Sequence, residues 1–440
     1  MNESVDRAES VALAQHILQR LGEGGQPPEF GVGRINVGNE SYLSVLEREY
    51  FGNLLRFGSS FKLVQGYFGA GKTHFLYCVR ERAWEHGFLT AVVELSPAEC
   101  PYDDSLKVYR AVARRIGMRA PRLLQAPNYG IGDLVRNHVD DAVARASGSQ
   151  EAAGPEGAAR MVEQWLSRTV GRAPCESHSF RQAIVGLGLA YLKGDRTIEQ
   201  RLDAWLLGEP IPPGELRDTG VYESLDKSNG FTMLRCLTQM AVGLGFPGTV
   251  LLFDEVDRNL SVGAKRSQAI GDNLRQVIDL CGRHQLPNTL FMYAVPPEFM
   301  RNIVPDYPAL YQRLKSPVAL SVRSPQAVLI DLERLDLEPA ELLRQLGGKV
   351  VTIFEEARGI RLNHDIQDRN ARVLSEAAVA ALFEVNHRRL FVKCWVDFLH
   401  RQMAEGELSL SGDVASSLIV AGNQALKETP GGDKGEFQDF

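Results

Sequence analysis

The chain has 440 residues, more than one ordinary compact domain holds, and its 44% hydrophobic and 24% charged residues are those of a globular protein with a sizeable core. A formal net charge of -6 excludes a uniformly basic surface that would draw the whole protein to nucleic acid, while leaving room for a local basic patch. The polar, acidic start MNESVDRAES is unlike a signal peptide, and the longest uncharged run, Cys236 to Phe253, is broken by Gly243, Gly245, Pro247 and Gly248, so no membrane span is expected.

The six cysteines form neither a CxxC nor a zinc-ligand spacing with histidine, which points to reduced thiols in a cytoplasmic protein. In chain order, residues 7–21 predict an amphipathic helix with Val11, Ala14, Ile17, Leu18 and Leu21 on one face. GEGGQPPEFG breaks it, and a second helix is expected near Tyr42 to Phe57. FKLVQG reads as a short apolar strand, followed by a glycine loop, a helix from Lys72 to about His86, and the buried strand LTAVVELS. That order is a βαβ unit and predicts an α/β fold with a parallel sheet flanked by helices.

Leu106 to Ile116 is helical in pattern, and from about 120 to 245 only helical patterns appear, among them Phe180 to Leu192 and Ile198 to Leu207. Within that stretch ARASGSQEAAGPEGAAR reads as a mobile loop. The sheet is expected to resume with TVLLFDEVD, a helix from Ala264 to Arg283 and the strand NTLFMYAV. The expected domains are residues 1–322, with a large helical insertion at about 120–245, a mainly helical domain at 323–415 whose one strand candidate is KVVTIF, and a disordered tail at 416–440.

Gly66, Tyr67, Phe68, Gly69, Ala70, Gly71, Lys72 and Thr73 fit GxxxxGK[ST] without a mismatch, with His74 next on the helix. Chance gives this pattern in roughly one or two chains in a hundred of this length. Here it lies between a strand and a helix, as the chemistry demands. Glycines let backbone N–H groups converge on phosphates, and the helix start presents positive potential to the same anion. Lys72 is placed to reach the β- and γ-phosphates of a nucleoside triphosphate, most simply ATP, and the Thr73 hydroxyl to ligate Mg²⁺.

The apolar run ending in Asp254 and Glu255 supplies the complementary pair. Asp254 would hold Mg²⁺, and Glu255 would orient and deprotonate the attacking water, which separates hydrolysis from mere binding. Asp257 reads as a solvated helix-start residue.

Two further segments resemble parts of the AAA+ ATPases. DYPALYQRL, which follows the strand NTLFMYAV, resembles an arginine-finger box, with Arg313 the candidate to act on a neighbouring subunit's nucleotide; a surface helix arginine fits equally. NHRRLF is similar to the lid position whose arginine reaches the γ-phosphate, and there Arg389 is favoured over Arg388, against an exposed basic helix start. Two features depart from the AAA+ pattern. NTLFMYAV ends in Ala294, Val295 and two prolines where a polar sensor is expected, with Tyr293 the nearest polar side chain, and about 180 residues separate the two phosphate-site motifs.

GRINVG at 33–38, Tyr42-Leu43, Glu49-Tyr50, FKLVQGYFGAGKTHFL and GFLTAVVELS together resemble the ATP-binding proteins of BREX phage-defence systems, AAA+ proteins related to origin-recognition ATPases. Length and NHRRLF are similar to the smaller ATP-binding protein of type 2 systems. The resemblance covers about residues 25–105 and 245–325. It implies an AAA+ base with a helical lid, an antiviral role in the bacterial cytoplasm beside a helicase and other defence proteins, and adenine contacts within Arg34 to Val37.

Three uses of such a site stay open. A motor or loader would couple ATP hydrolysis to assembly on DNA or to loading of a helicase, through a nucleotide-dependent homo-oligomer. A STAND-type switch would hold nucleotide with little turnover, and an ATP-sensing scaffold would use the insertion to bind partners. Arg114-Arg115 and Arg388-Arg389 are short basic pairs, which read as solvated faces more readily than as DNA contacts, and a winged helix after 350 would rest on KVVTIF alone.

Overall fold

Five parallel strands form one sheet in the order β2-β3-β4-β1-β5. They are β1 (Ser59–Gln65), β2 (Leu89–Glu94), β3 (Thr249–Asp254), β4 (Thr289–Val295) and β5 (Leu329–Asp331). The structure is a computed structural model that describes residues 2–96, 100–120, 129–149, 154–255, 264–282, 286–304, 308–314, 318–381 and 387–428. Because all strands run the same way, the loops after β1 and β3 emerge at one edge of the sheet, where open α/β sheets bind ligands.

Both faces of the sheet are buried, and alternate residues divide between them. Leu251, Phe253, Phe291 and Tyr293 face one core, while Val250, Leu252, Leu290 and Met292 face the other. On the second face lie α2 (Glu40–Val45), a π-helical turn at Leu46–Phe51 and α3 (Lys72–Glu85). The single helix expected over 42–57 is therefore three short pieces, the last a 3-10 turn at Leu54–Arg56.

The first face carries α4 (Ser105–Arg115) and then the insertion: α5 (Ile131–Ser147), α6 (Pro155–Arg168), α7 (His178–Lys193), α8 (Arg196–Leu206) and α9 (Gly230–Gly243). Phe180, Ile184, Trp205, Met233 and Leu237 share one core with Phe253 and Phe291, so the insertion is packed into the sheet domain. The loop expected over 144–160 is largely helical at its two ends, which close α5 and open α6. Its alanines favour helix, and Gly154 at φ 90° followed by Pro155 at the first helical position starts α6 cleanly. Helices α10 (Ala264–Gly282) and α11 (Pro308–Leu314) complete this face.

The C-terminal part is helical: α12 (Pro339–Arg358), α13 (His364–Ala380), α14 (His387–Glu405) and α15 (Gly412–Glu428). KVVTIF lies inside α12 and is no strand, which removes the basis for a winged helix. Leu342, Leu346, Val350 and Phe354 recur every four residues as a buried stripe, and that packing outweighs the strand preference of the β-branched residues. The N-terminal helix α1 (Asn2–Gly22) packs here as well. Leu13, Ala14, Ile17, Leu18 and Leu21 share a core with Val350, Phe354, Trp395 and Phe398 rather than with the sheet. Helix α15 runs through 428, past the expected start of the tail at 416, and residues 429–440 lie outside the described residues. Among the described residues no helix is long and apolar enough to cross a membrane.

Candidate functional site

The glycine loop leaves β1 at Gly66 and turns into α3. Gly69 at φ 83° and Gly71 at φ 90° adopt left-handed backbone that other residues reach only with strain. A Cβ on Gly66 would stand 2.9 Å from that of Ala70, so the turn closes only around glycine. Gly71 is the N-cap of α3 and gives no side-chain cap, so no cap side chain stands between the start of this 14-residue helix and a ligand. Lys72 Nζ folds over the loop and donates to the carbonyls of Gly66 at 2.8 Å and Tyr67 at 3.1 Å. Tyr67 and Phe68, the loop's two aromatic residues, project outward at 38% and 58% exposure.

Across the edge, Thr73 Oγ1 donates to Asp254 Oδ2 at 2.5 Å, joining loop and β3 although 181 positions separate them in the chain. Asp254 Oδ1 accepts the Glu255 amide at 2.9 Å. Burial raises the Asp254 carboxyl above the ordinary carboxylate range, with the Thr73 hydroxyl, the Glu255 N–H and Lys72 opposing it. Glu255 sits at φ 55°, a conformation costing a non-glycine residue about 1–3 kcal/mol, and half-buried at the end of β3 it is aimed by that turn rather than by regular strand geometry. Asp257 lies outside the described residues.

The C-terminal helices also reach the loop, through Arg388 and not through the expected Arg389. The Arg388 guanidinium donates to the carbonyls of Ala70, on the loop, and of Leu332, the latter at 3.1 Å, and burial lowers its pKa while Glu333 opposes that shift. Arg389 turns the other way and donates to the Gly24 carbonyl after α1. One residue along a helix rotates a side chain by about 100°, so spacing alone could not choose between them. Asn386 lies outside the described residues. Glu333 was not foreseen from the sequence: it accepts the Tyr67 amide at 2.8 Å and braces the loop from the end of β5, a strand too short to show a period.

A cavity of about 260 Å³ is lined by Val37, Gly38, Glu40, Ser41, Gln345 and Lys349, among others. Its wall connects to α3. Lys349 donates to the Asn36 carbonyl, and Asn36 Oδ1 lies 3.3 Å from His74 Nε2. Burial, with Arg388 and Lys349 adding to it, pushes the His74 pKa down to about 4, so its ring is neutral at neutral pH. Arg34 does not line this cavity: it forms an ion pair with Glu356 of α12.

Arg313 lies at the other end of the sheet. With Asp279, Ser59, Ser60 and Phe61 it lines a cavity of about 500 Å³ at the start of β1. Its Nε and Nη2 both reach the Asp279 carboxylate, the latter at 3.1 Å. Asp306 and Tyr307 of the same segment lie outside the described residues. Tyr293 shares a buried 2.7 Å hydroxyl pair with Tyr102 and stacks on Phe253, so its side chain belongs to the core and not to the loop edge.

A parallel sheet in this order, with the glycine loop after the interior strand β1 and an acidic pair ending β3, defines a P-loop ATPase fold of the AAA+ type with added helices. The chain belongs to the family described as BREX system ATP-binding protein BrxC/D, whose profile matches residues 10–416. It is thereby an ATP-binding AAA+ protein of a phage-defence system. Among solved structures it is similar to the ORC2 protein of Aeropyrum pernix, determined as ADPNP-ADP complexes, at 12% identity and a TM-score of 0.41 over 91% of this chain and 71% of that one. No curated protein matches it significantly in sequence.

Proposed function

We propose that the chain is a magnesium-dependent ATPase. Its phosphate site is the loop Gly66 to Thr73, its metal and water site is Thr73 with Asp254 and Glu255, and its lid contact is Arg388. The observation that carries this reading is the Thr73–Asp254 hydrogen bond, because it brings the two motifs into one site across the whole insertion. The donor set suits a small hard cation. A hydroxyl and a carboxylate oxygen converge, and a divalent charge beside Asp254 would offset the upward push that burial gives its carboxyl. Bound Mg²⁺ would neutralise charge on the phosphate oxygens.

The chain's own groups supply the rest. Lys72 exchanges its two loop carbonyls for phosphate oxygens, and the amides at the start of α3 bind the same anion. Glu255, held at its turned backbone, accepts the proton of the attacking water. The cavity between Val37 and Lys349 takes the base, with neutral His74 and Asn36 behind it. In a homo-oligomer a second copy presents Arg313 to the γ-phosphate. Coupling to DNA or to a helicase partner would run through that assembly, in the bacterial cytoplasm. Steady-state phosphate release with and without Mg²⁺ tests this reading: turnover requires the metal and is lost in Glu255→Gln, whereas metal-independent turnover or an unaffected variant rejects it.

A nucleotide switch with little turnover is a second reading, favoured by the burial of Tyr293, which leaves the end of β4 without a polar side chain facing the loop. Tight ADP retention with turnover slower than exchange would select it.

A further inference from the structure

Two of the six cysteines lie in the insertion, and the fold brings them together. Cys175 is half-exposed in the turn before α7, and Cys236 is buried in the middle of α9. The N–H of Ser177, two residues after Cys175, donates to the Cys236 sulfur at 3.3 Å, which sets the turn carrying Cys175 against Cys236.

Contacts on either side hold this register. The Glu176 amide donates to Gln239 Oε1 at 2.9 Å, and the Glu176 carboxylate takes the Arg235 guanidinium at 2.9 and 2.7 Å. The turn carrying Cys175 is therefore fastened to α9 one residue before and one helical turn around Cys236.

The two sulfurs sit in different electrostatic settings. The neighbouring Cys236 side chain holds the Cys175 thiol below its ordinary value, with the Ser177 backbone and Arg181 helping and burial opposing. Cys236 is pushed far up, by Cys175 first and by burial second. Cys175 is also the accessible one. A half-exposed thiol in the turn before a helix, beside a buried second cysteine, has the features of a reactive cysteine with its resolving partner.

We propose that Cys175 and Cys236 are a redox-active pair that closes to an intramolecular disulfide when the protein meets a hydroperoxide. The Cys175 thiolate attacks one peroxide oxygen, the O–O bond breaks, and the other oxygen leaves as an alcohol or as water, which makes Cys175 a sulfenic acid. The Cys236 sulfur then attacks the Cys175 sulfur, the S–O bond breaks, and hydroxide leaves with the Cys236 proton as water. Two thiols lose two electrons and two protons, and the peroxide is reduced to alcohol and water. The cross-link ties the start of α7 to α9, the helix that leads into β3 and the Asp254–Glu255 pair.

The test uses the full chain, treated with a small excess of hydrogen peroxide in its folded state, then denatured, alkylated with N-ethylmaleimide and mapped by peptide mass spectrometry. The expected result is a peptide pair joined through Cys175 and Cys236, lost on treatment with dithiothreitol, while the other four cysteines stay alkylatable. Cys175→Ser leaves Cys236 as an unreacted thiol, and Cys236→Ser leaves Cys175 as a sulfenic acid that dimedone traps. Because Cys236 is buried and its variant could fold poorly, the wild-type map decides on its own. Over-oxidation of Cys175 without a cross-link, a link from either residue to another cysteine, or full alkylation of both after peroxide overturns the proposal.

Discussion

The two ends of one sheet are built differently. At the C-terminal end, groups from four distant parts of the chain converge: the loop after β1, the acids after β3, Glu333 after β5 and Arg388 from α14. At the N-terminal end one arginine, Arg313, lies against Asp279 beside the start of β1. Strand β1 spans seven residues, or about 20 Å, between them. No side chain bridges that length, so an action of Arg313 on a nucleotide in the loop has to come from a second copy.

The largest expected effect breaks or confirms that reading. Arg313→Ala should lower steady-state turnover about 1,000-fold with ATP affinity unchanged, the scale of a lost arginine finger. Glu255→Gln should lower it about 100-fold or more, again without loss of binding. Mixing the two inactive variants should restore part of the activity, because one copy then offers an intact acid and its neighbour an intact arginine. No recovery on mixing, at concentrations where the wild type is active, would place Arg313 outside the reaction.

A smaller contrast sharpens the C-terminal end. Arg388→Ala should weaken ATP binding about tenfold, close to the lower end of the roughly 1.5–3 kcal/mol of a charge-assisted hydrogen bond, while Arg389→Ala should leave affinity within about twofold. Equilibrium titration with a fluorescent ATP analogue reads both, and a reversed order would return the lid role to Arg389.

The smallest effect concerns Lys62, which lies along β1 between the two ends. It is buried, and its ammonium donates to Tyr50 Oη at 2.5 Å and to the Ala327 carbonyl at 2.8 Å. Burial brings its pKa down to about 7. From there to about 10.5, its ordinary value, the unfolded chain holds a proton that the folded chain has released, so stability should rise with pH across that window. Lys62→Met should remove the rise, as denaturant midpoints at pH 7 and 9 would show. A parallel slope in the variant would mean that Lys62 keeps its proton.

Most of the sheet was legible in the sequence, because long buried strands and the glycine loop carry local signals. What escaped has physical reasons. Strand β5 has three residues, too few for a period, and with it Glu333 went unseen. KVVTIF has the residues of a strand but the burial stripe of a helix, and tertiary packing decided. Helix α1 was rightly amphipathic, yet its apolar face gives no hint that its partner is α12, more than 300 residues on. At the site, the loop and the acids could be named from spacing, whereas the choice between Arg388 and Arg389 depends on the rotation of α14 against the loop. Arg34 has the right neighbourhood but is committed to Glu356.

The central claim is that the loop after β1 and the acid ending β3 form one MgATP site. Calorimetric titration of ATP into wild type, Lys72→Ala and Asp254→Asn, each with Mg²⁺ and with EDTA, tests it most directly. The account predicts tight binding by the wild type, a loss of about 100-fold or more in Lys72→Ala under both conditions, and a wild-type gain from Mg²⁺ that Asp254→Asn lacks. Equal affinities in all three proteins, or an undiminished Mg²⁺ gain in Asp254→Asn, would contradict it.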